Sequence, residues 1–404
     1  MGVTETRGCL TSHSRMMPAM SIDPVIKGGR GRTASTLELF FDLVYVYAIT
    51  QVVGLLHGGG SVGLLAEGAL IIWLLWWTWS IYTWTTNWSG TDGTATRLFL
   101  LATMGVTLLM ALTIPTAFGE GSQWFGITYF LVRVMVTALY WFSSADHPAQ
   151  RHAFMTFAPT SMFAAALVLI GGFLDTPWLT ALWVGAALLD VLAASFAGRA
   201  TWAIDAPHFA ERNGLFIIVA LGETVVGIGL SAAGVERDAV HIIAIVVGFA
   251  IACSLWWAYF HRAAVVIEHA MASAVGKEPG WIARDAYSLL HYPLVVGIIF
   301  YAVAAEEIVA HPNEPLEQFG RFALSLGVSL ALLAIAASVF RVSGRIPTVR
   351  MGSAVLIMGI GAVAGSWDAV IFAAAIATVV VASLTWTQLH PWQYDDVERM
   401  TSST

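Results

Sequence analysis

Charged residues and cysteine are both scarce in this chain of 404 residues. Asp, Glu, Lys and Arg together make up 11% of the sequence, whereas hydrophobic residues make up 58%. A water-soluble protein of this length needs far more polar residues to cover its surface, so the composition excludes that class. Of the two cysteines, Cys9 lies in a polar tail and Cys253 within an apolar segment. Neither a disulfide framework nor a cysteine metal site is therefore expected.

Sequence motifs of ATPases and zinc hydrolases are absent as well. The chain has no Gly-Lys-Ser/Thr phosphate-binding loop and no His-Glu-x-x-His pair of zinc ligands. ATP-driven transport therefore has no support, and we expect a protein that is not an enzyme and has no metal or other cofactor. No basic surface interleaved with aromatic residues is present, which argues against nucleic acid as a partner.

Apolar segments recur along nearly the whole chain, and each is long enough to cross a membrane. A transmembrane helix needs about 20 apolar residues to span a hydrocarbon core of about 30 Å. We therefore predict an all-α integral membrane protein of about twelve transmembrane helices, with the lipid bilayer as its surroundings. The predicted spans are residues 36–56, 64–82, 96–118, 123–143, 151–174, 178–198, 209–231, 239–261, 284–308, 317–340, 348–364 and 367–387.

The two ends of the chain lie outside these spans. Residues 1–35 are polar and lack periodicity, so we expect a disordered tail without a signal peptide. Residues 389–404 are predicted to be a second tail. Lys and Arg in the loops and at the ends of the spans fall mostly on one side of the membrane, with only Arg237 and Arg321 on the other. Because positively charged loops stay in the cytoplasm, both tails are predicted to be cytoplasmic.

An internal duplication divides the spans into two sets of six, over residues 36–200 and 201–388. The segment Glu38–Gly54 aligns without a gap on Glu211–Gly227. Because six is an even number, the halves have the same orientation, and we predict two parallel six-helix repeats about an axis along the membrane normal. Further matches in the same order are Trp76–Trp79 with Trp256–Tyr259, Arg97 with Arg284, and Phe125-Gly126 with Phe319-Gly320; Thr50 falls opposite Glu223.

Ionisable side chains within or beside the spans form the candidate substrate or ion site. A charge at the bilayer centre costs roughly 2.5–3.5 kcal/mol on insertion scales, so such residues should face water, an opposite charge or a substrate. With a rise of 1.5 Å per residue, five of them fall roughly 9 to 20 Å from the predicted cytoplasmic surface, and Glu38 lies nearer to it. We expect them to converge on one hydrated pocket between the halves. The candidates are Glu38, Asp42, Arg133, Asp190, Glu211, Glu223 and His291.

Each of the strongest candidates has a functional and a structural interpretation. Glu38 and Asp42 lie one turn apart on one helix face, where they could bind a proton or cation. Alternatively, Glu38 stabilises the helix N-terminus and Asp42 forms a buried salt bridge. Arg133 either clamps an anion or pairs with an acid, and Asp190 is the acid that we favour.

Two further candidates lie near residues that disturb helices. Glu223 follows Gly222, and glycines either break a helix at a binding site or allow tight packing, with Glu223 hydrogen-bonded to a neighbour. His291 precedes Tyr292-Pro293, where proline permits a kink. It is either a proton relay or a core histidine with both nitrogens satisfied.

Several segments together resemble the low temperature requirement A (LtrA) family of bacterial membrane proteins. The resemblance covers roughly residues 33–387 and implies a bacterial plasma-membrane protein. It adds weight to six of the candidates, Asp190 excepted, without assigning roles. Leu39–Asp42 also resembles the Phe-Ser-Asp signature of lysosomal potassium-channel proteins. The segments that carry the family resemblance are Leu37–Val44, Thr86-Asn87 with Asp92, Ala117-Phe118, Tyr129 with Arg133, His208–Arg212, Ala220–Thr224 and Tyr287–Leu294 with Gly297.

Three functional hypotheses follow from these residues. The first is a secondary transporter of a small solute or ion, coupled to protons or Na⁺, with Asp42 and Glu223 as protonation or cation sites and Arg133 as their counter-charge. The second is a passive ion channel lined by the first helix of each half. The third is a membrane scaffold or sensor whose buried charges only fix helix packing. Association with further copies of the chain is left open.

Overall fold

The computed structural model describes residues 1–2, 32–57, 59–91, 93–197, 202–235 and 238–390, and within these ranges the chain consists of helices joined by short connections. The predictions for most of the two tails, and for Arg237, lie outside the described residues. The α-helices are α1 Thr36–His57, α2 Gly63–Ser89, α3 Thr94–Leu112, α4 Ser122–Ser143, α5 Pro148–Gly171, α6 Trp178–Ala197, α7 Ala206–Ala233, α8 Ala239–Ala258, α9 Ala264–Ser273, α10 Glu278–Ile282, α11 His291–Ala310, α12 Gln318–Ser343, α13 Thr348–Val363 and α14 Ala369–Leu389.

Two π-helical turns make the eighth and ninth spans longer than predicted. Tyr259–Ala263 joins α8 to α9, and Ala283–Leu289 joins α10 to α11. In the described part of the chain, 11 helices are long and apolar enough to cross a membrane, and α13 is a shorter apolar helix. This confirms an all-helical, multi-pass membrane protein with 11 or 12 spans. The added helical turns at the predicted cytoplasmic end carry polar residues, which apolar length alone does not detect.

Local sequence determines where the helices of the site begin. Ser35 precedes α1, and Glu38 follows it by three residues. The side chain of Glu38 accepts a hydrogen bond from the Ser35 backbone N at 2.8 Å, and the Glu38 backbone N donates to Ser35 Oγ at 3.3 Å. This reciprocal capping box fixes the first turn of α1. Asp205 caps α7 by accepting a hydrogen bond from the backbone N of His208 at 3.3 Å. Both caps place charged side chains at the helix starts.

The interior of the molecule consists of α2, α11 and α12. In its most apolar stretch, 78% of α2 is buried, as is 78% of the span that contains α11 and 72% of α12. The corresponding share for α8–α9 is 33%. Glycines allow α11 and α12 to cross at backbone distance. A Cβ atom on Gly297 would lie 2.7 Å from the backbone N of Ala331, and one on Gly327 would lie 2.7 Å from the Gly297 carbonyl oxygen.

The two halves share an order of helix neighbours. In the first half α1 packs on α2 and α3, α2 on α4 and α6, and α4 on α3 and α5. In the second half α7 packs on α8 and α11, α8 on α12 and α14, and α12 on α11 and α13. A duplication predicts this likeness. However, α2 is deeply buried and its counterpart α8–α9 is largely exposed, so the symmetric arrangement of two repeats stays a prediction.

Candidate functional site

The centre of the candidate site is a buried ion pair between α1 and α7. Arg212 of α7 donates from Nη2 to Asp42 Oδ1 of α1 at 2.8 Å, and Trp79 Nε1 of α2 donates to the same oxygen at 2.8 Å. The Arg212 side chain is fully buried and that of Asp42 is 5% exposed. The guanidinium carbon lies 5.8 Å from the ring centroids of Trp79 and Tyr82, within cation–π range.

This pair leaves several polar atoms without partners. Among the described residues, Asp42 Oδ2, Arg212 Nε and Nη1 and Tyr82 Oη are buried and make no hydrogen bond. An unsatisfied buried donor or acceptor costs about 1–3 kcal/mol, and native proteins keep few of them. The arrangement can therefore offer hydrogen bonds to a bound molecule or to water.

A second group of side chains lies at the predicted cytoplasmic end, and we call it the Glu38 network. It comprises Arg32, Glu38, Asn87 and His208. Glu38 is fully buried and lies 3.3 Å from Arg32 Nη2 and 3.2 Å from His208 Nε2. Asn87 accepts from the Asp205 backbone N through Oδ1, so its Nδ2 donates to His208 Nδ1 at 3.1 Å. His208 therefore donates its Nε2–H to Glu38. The network joins α1, α2 and α7.

The structure separates Glu211 from its neighbour Arg212. Glu211 is exposed and accepts a hydrogen bond from the Ala34 backbone N at 2.9 Å, so it fastens the segment before α1 and does not face Asp42. The residue that faces Asp42 is Arg212, which was not among the sequence candidates. Its position could have been found from helical periodicity, because Arg212 and Glu223 are three turns apart on the buried face of α7.

Glu223 lies at the same helix interface, nearer the opposite end. Its Oε2 accepts a hydrogen bond from Thr50 Oγ1 of α1 at 2.8 Å, and these two residues occupy equivalent positions in the aligned segments. One turn further along α7, the Glu306 side chain covers Gly227 so closely that a Cβ atom there would collide with it. Glu223 thus has the neighbouring hydrogen-bond partner that one interpretation predicted.

Beyond Glu306 lies an open vestibule of about 540 Å³ at the predicted outer end of the molecule. His57 Nε2 lies 3.3 Å from Glu306 Oε2 at this vestibule. The ends of α1, α7 and α11 and the start of α12 surround it. Its ionisable lining residues are His57, Glu306, Glu307, His311 and Glu317.

Arg133 and Asp190 form a separate pair inside the first half. Arg133 Nη1 and Nη2 lie 3.2 and 2.9 Å from the two carboxylate oxygens of Asp190. Arg133 also donates to Tyr129 Oη at 2.6 Å and to the carbonyl and hydroxyl oxygens of Ser161. The expected contact with Asp190 is present, but the expectation that Arg133 is the counter-charge of Asp42 is wrong, because Arg212 occupies that position.

His291 is a buried core histidine in which both ring nitrogens have partners. Only a ring N–H can bond a carbonyl, so Nδ1 donates to the Ala286 oxygen at 2.7 Å, and Nε2 accepts from Tyr259 Oη at 2.7 Å. The candidates therefore fall into distinct groups and do not share one pocket, contrary to expectation. Helix rotation places Arg133 and Asp190 toward α5, and His291 toward α8, away from the α1–α7 interface.

Two patterns typical of enzymes differ here from their usual setting. Gly59–Gly63 spells the Gly-x-Ser-x-Gly sequence of serine hydrolases, but it connects two helices and not a strand to a helix. Within the described residues, no group of three or more His, Cys, Asp or Glu side chains could hold a metal ion. The arrangement at α1 and α7 is suited to binding ions and moving protons.

Comparison with known proteins places these observations in a family. Residues 33–385 match the family described as bacterial low temperature requirement A protein (LtrA). An uncharacterized protein of Rhizobium meliloti (strain 1021), RA0937, is 29% identical over 381 residues, covering 89% of each chain. No solved structure matches the chain significantly.

Proposed function

This protein belongs to the LtrA family of bacterial membrane proteins, and from that premise we propose that it is a secondary transporter of a small solute or ion. Transport is coupled to protons or cations through carboxylates at the interface of α1 and α7. Both helices begin their respective halves, so the pathway lies between the halves.

The observation that carries this proposal is the incomplete bonding of the Asp42–Arg212 pair. A buried ion pair that only fixes helix packing should have its hydrogen bonds satisfied, as Arg133 and Asp190 do. Asp42 and Arg212 share a single hydrogen bond and retain an unpartnered oxygen and two unpartnered nitrogens among the described residues. These unpartnered hydrogen-bonding atoms, at the interface of α1 and α7, support a binding site there.

The different construction of the two ends of the molecule favours a transporter over a channel. The vestibule at Glu306 is open, whereas the Glu38 network ties α1, α2 and α7 together at the other end. Opening the predicted cytoplasmic end requires the contacts of Glu38 with His208 and of Ala34 with Glu211 to separate. Asp42 lies one helical turn from Glu38, and Arg212 follows Glu211 in the sequence. A ligand bound at Asp42 and Arg212 can therefore change the stability of these contacts, which couples ligand binding to opening.

Proton flux in proteoliposomes tests this function. With a pH dye inside, we expect gradients of Na⁺, K⁺ or small anions to drive proton movement through the wild-type protein, and Asp42→Asn to abolish it. Asp146→Asn, the same change in an exposed loop between α4 and α5, is the matched control and should behave as wild type.

Other outcomes would favour the other hypotheses. A current that follows an ion's own gradient without proton coupling, and that Asp42→Asn leaves intact, would identify a channel. Flux no greater than in empty liposomes for every gradient would support a scaffold or sensor. If Asp42→Asn fails to fold, Glu223→Gln provides the second test, because the glutamine side chain keeps an oxygen that can accept the hydrogen bond from Thr50.

A further inference from the structure

The charges around Asp42 leave little opportunity for a cation to bind. On its own helix, Asp42 has Glu38 one turn before it. From α7, Arg212 bonds Asp42, and His208 lies one turn before Arg212. From α2, Trp79 donates a hydrogen bond to Asp42, and the uncharged Tyr82 lies beside Arg212. Arg212 already neutralises the carboxylate, and its positive charge repels a second cation at this short distance.

The unused hydrogen-bonding capacity at the pair consists mainly of donors. Within the part of the chain that the structure describes, Arg212 Nε and Nη1 and Tyr82 Oη can donate, whereas Asp42 Oδ2 is the acceptor of the pair left without a partner. An arginine with free N–H groups in a water-poor interior suits planar oxyanions, which it can bind through two parallel hydrogen bonds. The donor set therefore favours an anion.

We propose, on the basis of the transport function above, that the cargo is a small monovalent oxyanion that moves together with one proton. When the anion binds, Arg212 Nη2 donates its hydrogen bond to the anion and no longer donates it to Asp42 Oδ1. A hydronium ion from the vestibule gives up the proton, so one of its O–H bonds breaks as an O–H bond forms on Asp42 Oδ2, and Arg212 keeps its own proton and its charge. One negative and one positive charge cross together, so the cycle is electroneutral.

The hydrogen bonds of Asp42 are compatible with both states of this exchange. Trp79 Nε1 donates to Oδ1 and can do so to a carboxylate or to the carbonyl oxygen of a neutral carboxyl group, so Asp42 need not move. Oδ2 is the unpartnered oxygen and can take the proton. Towards the vestibule, Thr50 lies eight residues further along α1, about 12 Å in helix rise, and bonds Glu223. Glu223 and Glu306 thus provide carboxylates between the open vestibule and Asp42.

Anion binding to the wild-type protein in detergent gives the first test. Lactate and nitrate represent an organic carboxylate and an inorganic oxyanion, and calorimetric titrations would be made at pH 5.5, 6.5 and 7.5 in buffers that differ in ionisation heat. We expect about tenfold tighter binding per unit decrease in pH, with one proton taken up per anion. Binding by only one anion identifies the cargo class. An affinity independent of pH, or the absence of binding by both anions, would overturn the proposal.

Variants separate the roles of the two partners. In Asp42→Asn the side chain mimics the protonated carboxyl group, so anion binding should persist and lose its pH dependence, while acid-driven accumulation is lost and anion exchange remains. Arg212→Gln should lose the anion binding that wild type shows, and Asp146→Asn should match wild type. A tenfold change per pH unit that survives in Asp42→Asn would contradict the assigned proton site.

Failure of this inference differs from failure of the transport function. If Na⁺ or K⁺ gradients drive protons in the liposome assay and neither lactate nor nitrate does, the protein is a transporter with a cationic cargo. If no gradient drives protons, both proposals fail. The wild-type titrations decide the matter even where a variant does not fold.

Discussion

At the scale of single residues, the two buried Arg–Asp pairs have different hydrogen-bond environments. Arg133 spreads its bonds over Asp190, Tyr129 and Ser161, all within the first half. Arg212 bonds Asp42 through one nitrogen, across the two halves. A fully satisfied pair resists rearrangement because every change leaves a buried group unpaired, whereas a singly bonded pair can exchange partners.

The Arg133 pair should matter for folding. Arg133→Leu leaves the fully buried Asp190 carboxylate without its counter-charge, and removing one partner of a buried pair costs about 3–5 kcal/mol. We expect a much lower thermal unfolding midpoint in detergent, followed by tryptophan fluorescence. Adding Asp190→Asn should recover part of the loss. A double variant no more stable than Arg133→Leu would argue against the pairing as the source of the effect.

At the scale of helices, small residues determine which elements can approach. Gly297 and Gly327 bring α11 and α12 into backbone contact in the most buried part of the molecule. Without water between them, transmembrane helices associate through such close packing, so the crossing holds the second half together. The α1–α7 interface instead is joined by polar contacts at its ends, through Glu38 and Glu223. That difference is consistent with a rigid α11–α12 unit and a separable α1–α7 interface.

Substitutions of glycine test the rigid crossing. Gly297→Ala places a methyl group 2.7 Å from the Ala331 backbone N, and overpacking of this kind typically costs about 1–3 kcal/mol. Gly105→Ala is the matched control, because a Cβ on this α3 residue meets nothing within 4 Å among the described residues. The control should be neutral or slightly stabilised, since alanine favours helix more than glycine does. Equal unfolding midpoints for the two variants would contradict the close crossing.

At the scale of the whole molecule, successive spans alternate in direction, so the loops divide between two faces. Asp146, between α4 and α5, and Glu314, between α11 and α12, are exposed and lie on opposite faces by this count. The distribution of Lys and Arg predicts that the face of Asp146 is cytoplasmic. The open vestibule then faces outward and the Glu38 network faces the cytoplasm.

Labelling of single cysteines tests this orientation. In a background with Cys9→Ser and Cys253→Ser, Glu314→Cys should react with a membrane-impermeant thiol reagent in intact cells. Asp146→Cys should react only after the cells are permeabilised. The reverse pattern would invert the predicted topology and exchange the faces of the vestibule and the network.

The sequence alone determined the membrane class and nearly all of the helices, because apolar length and capping are local properties. It also indicated that Glu38, Asp42 and Glu223 need polar surroundings, since a charge in lipid is costly wherever it lies. Only the tertiary structure decided which residues meet. Glu211 and Arg212 are adjacent in sequence but about 100° apart around α7, so helix packing places one in solvent and the other against Asp42, 170 residues away.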